Sequence, residues 1–232
     1  MSSSPTTATA VVIRPDRGST TTSSPPASTT TTTTAPGGTT TTTAPAATTT
    51  STAPVTQPTA PATGLAALIL GTVPSGYPRD ADDVGQTGPT NLAQAADSDS
   101  SPTARRALLV TGFVTGYQRQ WTSPDGFTID QVFLYEFQSP KGAQGYAQHW
   151  HDTLVQTNQT GAVLHSFTPA FIPAATGLQE GDTNGSTAVV IFAKGIYAVE
   201  ATVNGGAVSS GKPTDQSGPA TALGLAQFQL LP

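Results

Sequence analysis

Residues 117–137, YQRQWTSPDGFTIDQVFLYEF, decide the fold. Tyr117, Arg119 and Trp121 alternate with polar residues, and Pro124-Asp125-Gly126 supplies turn chemistry. Phe127, Ile129, Phe133, Tyr135 and Phe137 then fall on one side of a second extended run. The stretch therefore reads as a β-hairpin with a large aromatic payload. A second hairpin is expected downstream, where TAVVIFA (187–193) and IYAVEATV (196–203) flank the turn at Lys194-Gly195 and are rich in β-branched residues.

The segments between and around the hairpins carry helical signals. In SPKGAQGYAQHWHDTLVQ (139–156), Ser139 is the expected N-cap and Pro140 the first helical residue. Ala143, Ala147, Trp150 and Leu154 recur at helical spacing, which turns Trp150 inward. SPTARRALLVTG (101–112) has Ser101 as cap, Pro102 behind it and Gly112 as the stop; NLAQAA (91–96) predicts a helical turn, and SGPATALGLAQFQLLP (217–232) a closing helix. The order is helix, hairpin, helix, hairpin, helix. It predicts an α+β domain in which an antiparallel sheet of about four strands, from the two hairpins, is packed by two or three helices.

Working outward, the composition changes abruptly at Leu65. Residues 1–64 contain no aromatic residue and only three charged ones, Arg14, Asp16 and Arg17, while threonine exceeds a third of the total. Such a segment cannot bury enough apolar surface to offset an ordering cost of roughly 1 to 2 kcal/mol per residue. It reads as a disordered Thr/Pro/Ala-rich stalk or linker. The 46 residues from Ser19 to Gly64 would span about 140 Å if polyproline-like and about 35 to 40 Å if flexible. Residues 65–232 hold both tryptophans, all eight phenylalanines and all five tyrosines, enough for one globular domain.

Charge and composition exclude several classes of function. A net charge of −5 with scattered Lys and Arg provides no basic stripe for nucleic acid, and anionic membranes would repel the chain. Without cysteine there is no disulfide, thiolate nucleophile, zinc thiolate site or lipid-modified cysteine. The longest apolar run, LAALIL (65–70), is far short of the ~20 residues of a membrane span. No signal peptide follows Met1, since Val11, Val12 and Ile13 end at Arg14. A stalk-bearing chain of this kind implies an extracytoplasmic setting, so the sequence leads us to expect a signal or anchor upstream of Met1.

The chemistry-bearing residues are few. His149 and His151 in HWHD lie two apart, about 200° around a helix, and cannot bind one metal from one face. His149 or His151 with Asp152 and His165 would suit a hydrolase, but no G-x-S-x-G elbow supplies a serine. DSDSS (97–101) opens like a calcium loop, then puts Pro102 at the sixth place and Leu108 at the twelfth; with DADD (80–83) it reads as solvated acidic loop. Phosphate loops, dinucleotide fingerprints and paired-carboxylate motifs are not recognisable, so no cofactor and no metal is expected. Asn158-Gln159-Thr160 and Asn184-Gly185-Ser186 match the N-glycosylation pattern and mark loops. Arg119, between Tyr117 and Trp121, suits stacking or anion binding, or a structural pairing with Asp125, Asp130 or Glu136.

VPSGY (73–77), DDVGQTGP (82–89), GFVTGYQRQW (112–121), YEFQSPKGAQGY (135–146) and LAQFQLLP (225–232) resemble poorly characterised extracytoplasmic domains of actinobacteria that follow a signal sequence or membrane helix and a Thr/Pro-rich linker. More loosely, the layout is similar to domains of mycobacterial envelope lipoproteins and kinase sensors, from which the chain departs by lacking cysteine. The resemblance implies a cell-envelope setting and transfers no catalytic residue. The reading that follows is a non-catalytic ligand- or partner-binding domain on a stalk, with Tyr117, Arg119, Trp121, Tyr135 and Phe171 as the ligand-binding residues. Its partner would be a small molecule, lipid, glycan or envelope protein. The rivals are the hydrolase using His149 or His151 and a structural cell-surface protein.

Overall fold

The computed structural model describes residues 64–82, 87–99, 101–157, 163–182, 185–206 and 214–232. Their elements run α1 (Leu65–Leu68), β1 (Gly88–Thr90), α2 (Leu92–Asp99), α3 (Ala104–Thr111), β2 (Phe113–Thr122), β3 (Thr128–Phe137), α4 (Pro140–Thr157), β4 (Val163–Phe167), β5 (Thr176–Asp182), β6 (Gly185–Lys194), β7 (Tyr197–Gly206) and α5 (Ser217–Leu230). The seven strands form one antiparallel sheet in the order β1-β2-β3-β7-β6-β5-β4.

The expectation of about four strands and two or three helices is therefore corrected to seven strands and five helices. Both expected hairpins are present, as β2–β3 and β6–β7, and they join at their inner strands, β3 and β7. What the pattern missed are the outer strands. β1 is three residues long and contains Pro89, an edge residue by chemistry. β5, TGLQEGD, contains two glycines and two acids and gains its strand conformation from pairing on both sides with β4 and β6. The two sequon asparagines lie outside the described residues, and Gly185 and Ser186 begin β6.

Both faces of the central strands are covered, which explains why β3 reads as the nearly unbroken apolar run VFLYEF. Val132 and Leu134 face a core containing Trp121, Val190, Phe192, Val199, Ala201 and Leu223, lined by the α1 segment and α5. Phe133, Tyr135 and Phe137 face the other way, onto Tyr146, Ala147 and Trp150 of α4 with Ala95 of α2 and Leu108 of α3. Trp150 is buried, as its helical phase requires.

Local signals set the helix ends. Asn91 caps α2 through Oδ1, which accepts from Ala93 N at 2.9 Å and Gln94 N at 3.1 Å, while Gln94 Oε1 accepts from Asn91 N at 2.9 Å. Ser139 Oγ accepts from Gly142 N at 3.1 Å at the start of α4. α3 begins at Ala104, two residues later than a Ser101 cap would place it, and ends at Gly112 with φ 78°, ψ 46°. At the α3–α4 contact, a Cβ on Gly142 would stand 2.0 Å from the carbonyl oxygen of Thr111, so only glycine admits that approach.

Candidate functional site

Four of the five sequence-selected residues lie inside the protein. Tyr117, Arg119 and Trp121 share the α1-facing side of β2, and Tyr135 is enclosed on the opposite side of the sheet. Phe171 is the fifth, and the residue is 85 % exposed.

Arg119 illustrates why the hairpin's aromatic stripe is inward. Its Nη1 donates to the carbonyls of Ile69 (2.9 Å) and Leu70 (2.8 Å), and Nη2 to Ala66 (3.2 Å). The guanidinium carbon sits 5.1 Å from the Tyr117 ring centroid. The orphan carbonyls at the end of α1 are thus satisfied by a cation, which suits the negative end of a helical turn. Gln227 of α5 completes the fastening: its Oε1 accepts from Leu70 N at 3.0 Å and its Nε2 donates to Leu68 O at 2.7 Å. Two of the three carboxylates weighed as partners of Arg119 are engaged elsewhere, Asp130 with the Ser75 hydroxyl and Asp125 with Ser123 in the turn.

The opposite face carries the ionisable cluster. Asp99, the last residue of α2, has a side chain with no exposed surface. Its Oδ2 accepts from the Tyr146 hydroxyl at 2.7 Å, and its Oδ1 from Ser101 N at 3.3 Å. His149 Nε2 lies 3.2 Å from the same Oδ2, close enough for an ion pair but without the alignment of a hydrogen bond. Burial pushes the Asp99 carboxyl above the usual carboxylate range; the Tyr146 hydroxyl and His149 pull it back. Tyr146 is pushed upward by burial and by the Asp99 charge, so it is held as a neutral donor.

Glu200 of β7 is a second acid on this face of the sheet. It pairs across the ladder with Phe133 on one side and Ile191 on the other, between two buried apolar side chains. Its described hydrogen bond is a 3.2 Å donation from Thr202 to Oε1. Burial, reinforced by the Asp99 charge, lifts its pKa to about 7. Tyr135, also raised by burial, accepts from Gln118 Nε2 at 3.0 Å, and the same amide donates to Ser98 Oγ at 3.0 Å. Sequence reasoning found His149 and passed over Glu200, Asp99 as a partner, and Tyr146. The signal for Glu200 was a lone acid in the β-branched run IYAVEATV, which reads as an outward position unless the second face is known to be covered.

The other histidines are apart. His151 pairs with Asp152 at 3.2 Å on the exposed side of α4, and His165 is an exposed residue of the edge strand β4. Among the described residues no group of three metal-ligating side chains occurs, and no serine or threonine hydroxyl bonds to His149. An open groove of about 360 Å³ lies between the Pro89–Leu92 and Phe113–Thr115 stretches and is lined by no titratable side chain.

Phe171 occupies the β4–β5 connection, where Phe171 (φ 64°) and Ala174 (φ 56°) both adopt left-handed backbone that β-carbons disfavour. The loop is anchored between them, with Ile172 buried in the core beside α5.

No family model matches the chain, and no curated protein matches it. Among solved structures it is similar to the extracellular domain of PknH from Mycobacterium tuberculosis, known from a crystal structure, at 12 % sequence identity and a TM-score of 0.44 over 70 % of this chain and 93 % of that one. Among the described residues no helix is long and apolar enough to cross a membrane.

Proposed function

We propose that the chain is an extracytoplasmic, non-catalytic binding domain of the cell envelope, presented on its Thr/Pro-rich stalk, with Phe171 as the central contact. The observation that carries this reading is the Phe171 loop: a large ring held in solvent on left-handed backbone, over a buried Ile172. Left-handed conformations at two non-glycine residues cost roughly 1 to 2 kcal/mol each and persist where the surroundings impose them. An aromatic presented rigidly loses little entropy on binding and suits a sugar ring, a lipid or an apolar protein patch. The burial of Tyr117, Arg119, Trp121 and Tyr135 gives these four the role of supporting the surface from within.

The hydrolase reading has less behind it, since among the described residues no serine or threonine hydroxyl is bonded to His149 or His151. The test is a thermal-shift screen of the full chain against cell-wall glycan fragments, lipid vesicles and divalent ions, followed by titration of any binder with Phe171→Ser. Binding weakened tenfold or more, with unfolding unchanged, supports the proposal. A screen without a binder, or a binder indifferent to Phe171→Ser, contradicts it.

A further inference from the structure

The groove at the β1 edge of the sheet takes no part in the binding proposal, and it exists because β1 is shorter than the strand it pairs with. β1 meets β2 only at Gly116, Tyr117 and Gln118. At Asn91 the chain leaves the sheet to cap α2, so among the described residues no strand lies beside the outer edge of β2 from Phe113 to Thr115. The register with β3 slips at Val114, a β-bulge of the kind that re-aims a strand at a sheet edge. The resulting space of about 360 Å³ is lined by Pro89, Leu92, Phe113 and Val114 together with uncharged polar residues. Leu109 and Val110, in the last turn of α3, and Val114 make up half of the large apolar side chains exposed among the described residues. Such a concentration marks an interaction surface.

The chain itself supplies a matching occupant. Residues 1–13 carry no ionisable side chain, as the groove carries none. The β-branched aliphatic residues before Gly64 are Val11, Val12, Ile13 and the lone Val55, and such residues favour extended pairing. Reach is no obstacle. The Ala66 carbonyl accepts from Arg119, which lies four residues along β2 from Thr115, or about 13 Å at the rise of a strand. The 50 residues 14–63 separate Ile13 from Gly64, and a chain of that length spans about 40 Å even as a random coil. A segment tethered so close acts at an effective concentration on the order of millimolar, so a contact too weak to hold a free peptide suffices.

We propose that the groove is the docking site of the chain's own N-terminal segment: residues 10–13 add to the open edge of β2 as a short strand, and Val11 and Ile13, which share one face of an extended chain, enter the groove. Docking closes the Thr/Pro-rich stretch into a loop with both ends at the β1–β2 edge of the sheet, and release opens it into a spacer.

Paramagnetic broadening on the full chain tests the docking. Because the chain lacks cysteine, Thr7→Cys provides a single attachment point for a nitroxide. The amides of Leu92, Val114 and Thr115 are expected to lose at least half of their intensity, and those of β4, at the far edge of the sheet, to keep theirs. Val11→Asp together with Ile13→Asp in the labelled chain is expected to restore the lost intensity, and so is Val114→Asp on the groove side. Both cores are built from residues after Gly64, so the two N-terminal substitutions leave folding intact. No broadening at the groove, broadening spread evenly over the domain, or broadening indifferent to these substitutions would overturn the proposal. So would broadening of equal size with the nitroxide on one molecule and the isotope label on another, since the segment would then come from a second copy.

Discussion

The two faces of the sheet bury charge in different ways. On the α1/α5 face, Arg119 is 4 % exposed and its Nη1 and Nη2 donate to three backbone carbonyls. On the α4 face, Asp99 and Glu200 are held mainly by side chains, one of them a histidine. A guanidinium against carbonyls keeps its charge across the whole physiological range. Glu200, lifted by burial to about 7, changes its charge within it. One face is therefore a permanent fastening and the other a conditional one, although both rest on the same strands.

Breaking the permanent fastening should have the largest effect. Arg119→Met leaves the carbonyls of Ala66, Ile69 and Leu70 without donors; unsatisfied buried groups cost about 1 to 3 kcal/mol each, and water re-entry offsets part of it. Urea unfolding should show a loss of about 3 kcal/mol that is the same at pH 5.5 and pH 8. A loss confined to one pH would erase the distinction between the faces. Next in size, Gly142→Ala forces α4 away from the Thr111 carbonyl. Overpacking of this kind costs typically 1 to 3 kcal/mol, offset by ~1 kcal/mol of helix propensity, so a net loss of up to about 2 kcal/mol is expected in thermal unfolding. Smallest is Phe171→Ser, whose exposed ring should change stability by less than about 0.5 kcal/mol.

Much of this architecture was legible in the sequence. The two hairpins, α4 with its inward Trp150, and α5 follow from alternation, turn residues and caps, which are local signals. The outer strands were not legible, because β5 owes its conformation to its neighbours: Gly177 lies opposite Phe167, whose ring fills the space a Cβ would need. Coverage was equally hidden. Tyr117, Arg119 and Trp121 have the spacing of an exposed aromatic stripe, and only the α1 segment, about fifty residues earlier, turns it into core. Glu200 was passed over for the same reason, since one acid in an apolar strand looks outward until a helix is placed over it.

The conditional fastening makes a signed prediction about stability. Glu200 has its pKa raised from 4.5 to about 7 in the fold, so the native state binds the proton more tightly than the unfolded chain does. Its contribution is fully present below pH 4.5 and is lost as pH rises through about 7. By linkage, a shift of this size corresponds to about 3 kcal/mol at most. The decisive measurement is the unfolding free energy of the wild type and Glu200→Gln from pH 5 to pH 8. The account predicts that the wild type loses about 2 to 3 kcal/mol over that range, and that the variant loses at least 1 kcal/mol less. Parallel curves for the two proteins, or a wild type whose stability rises toward pH 8, would contradict it.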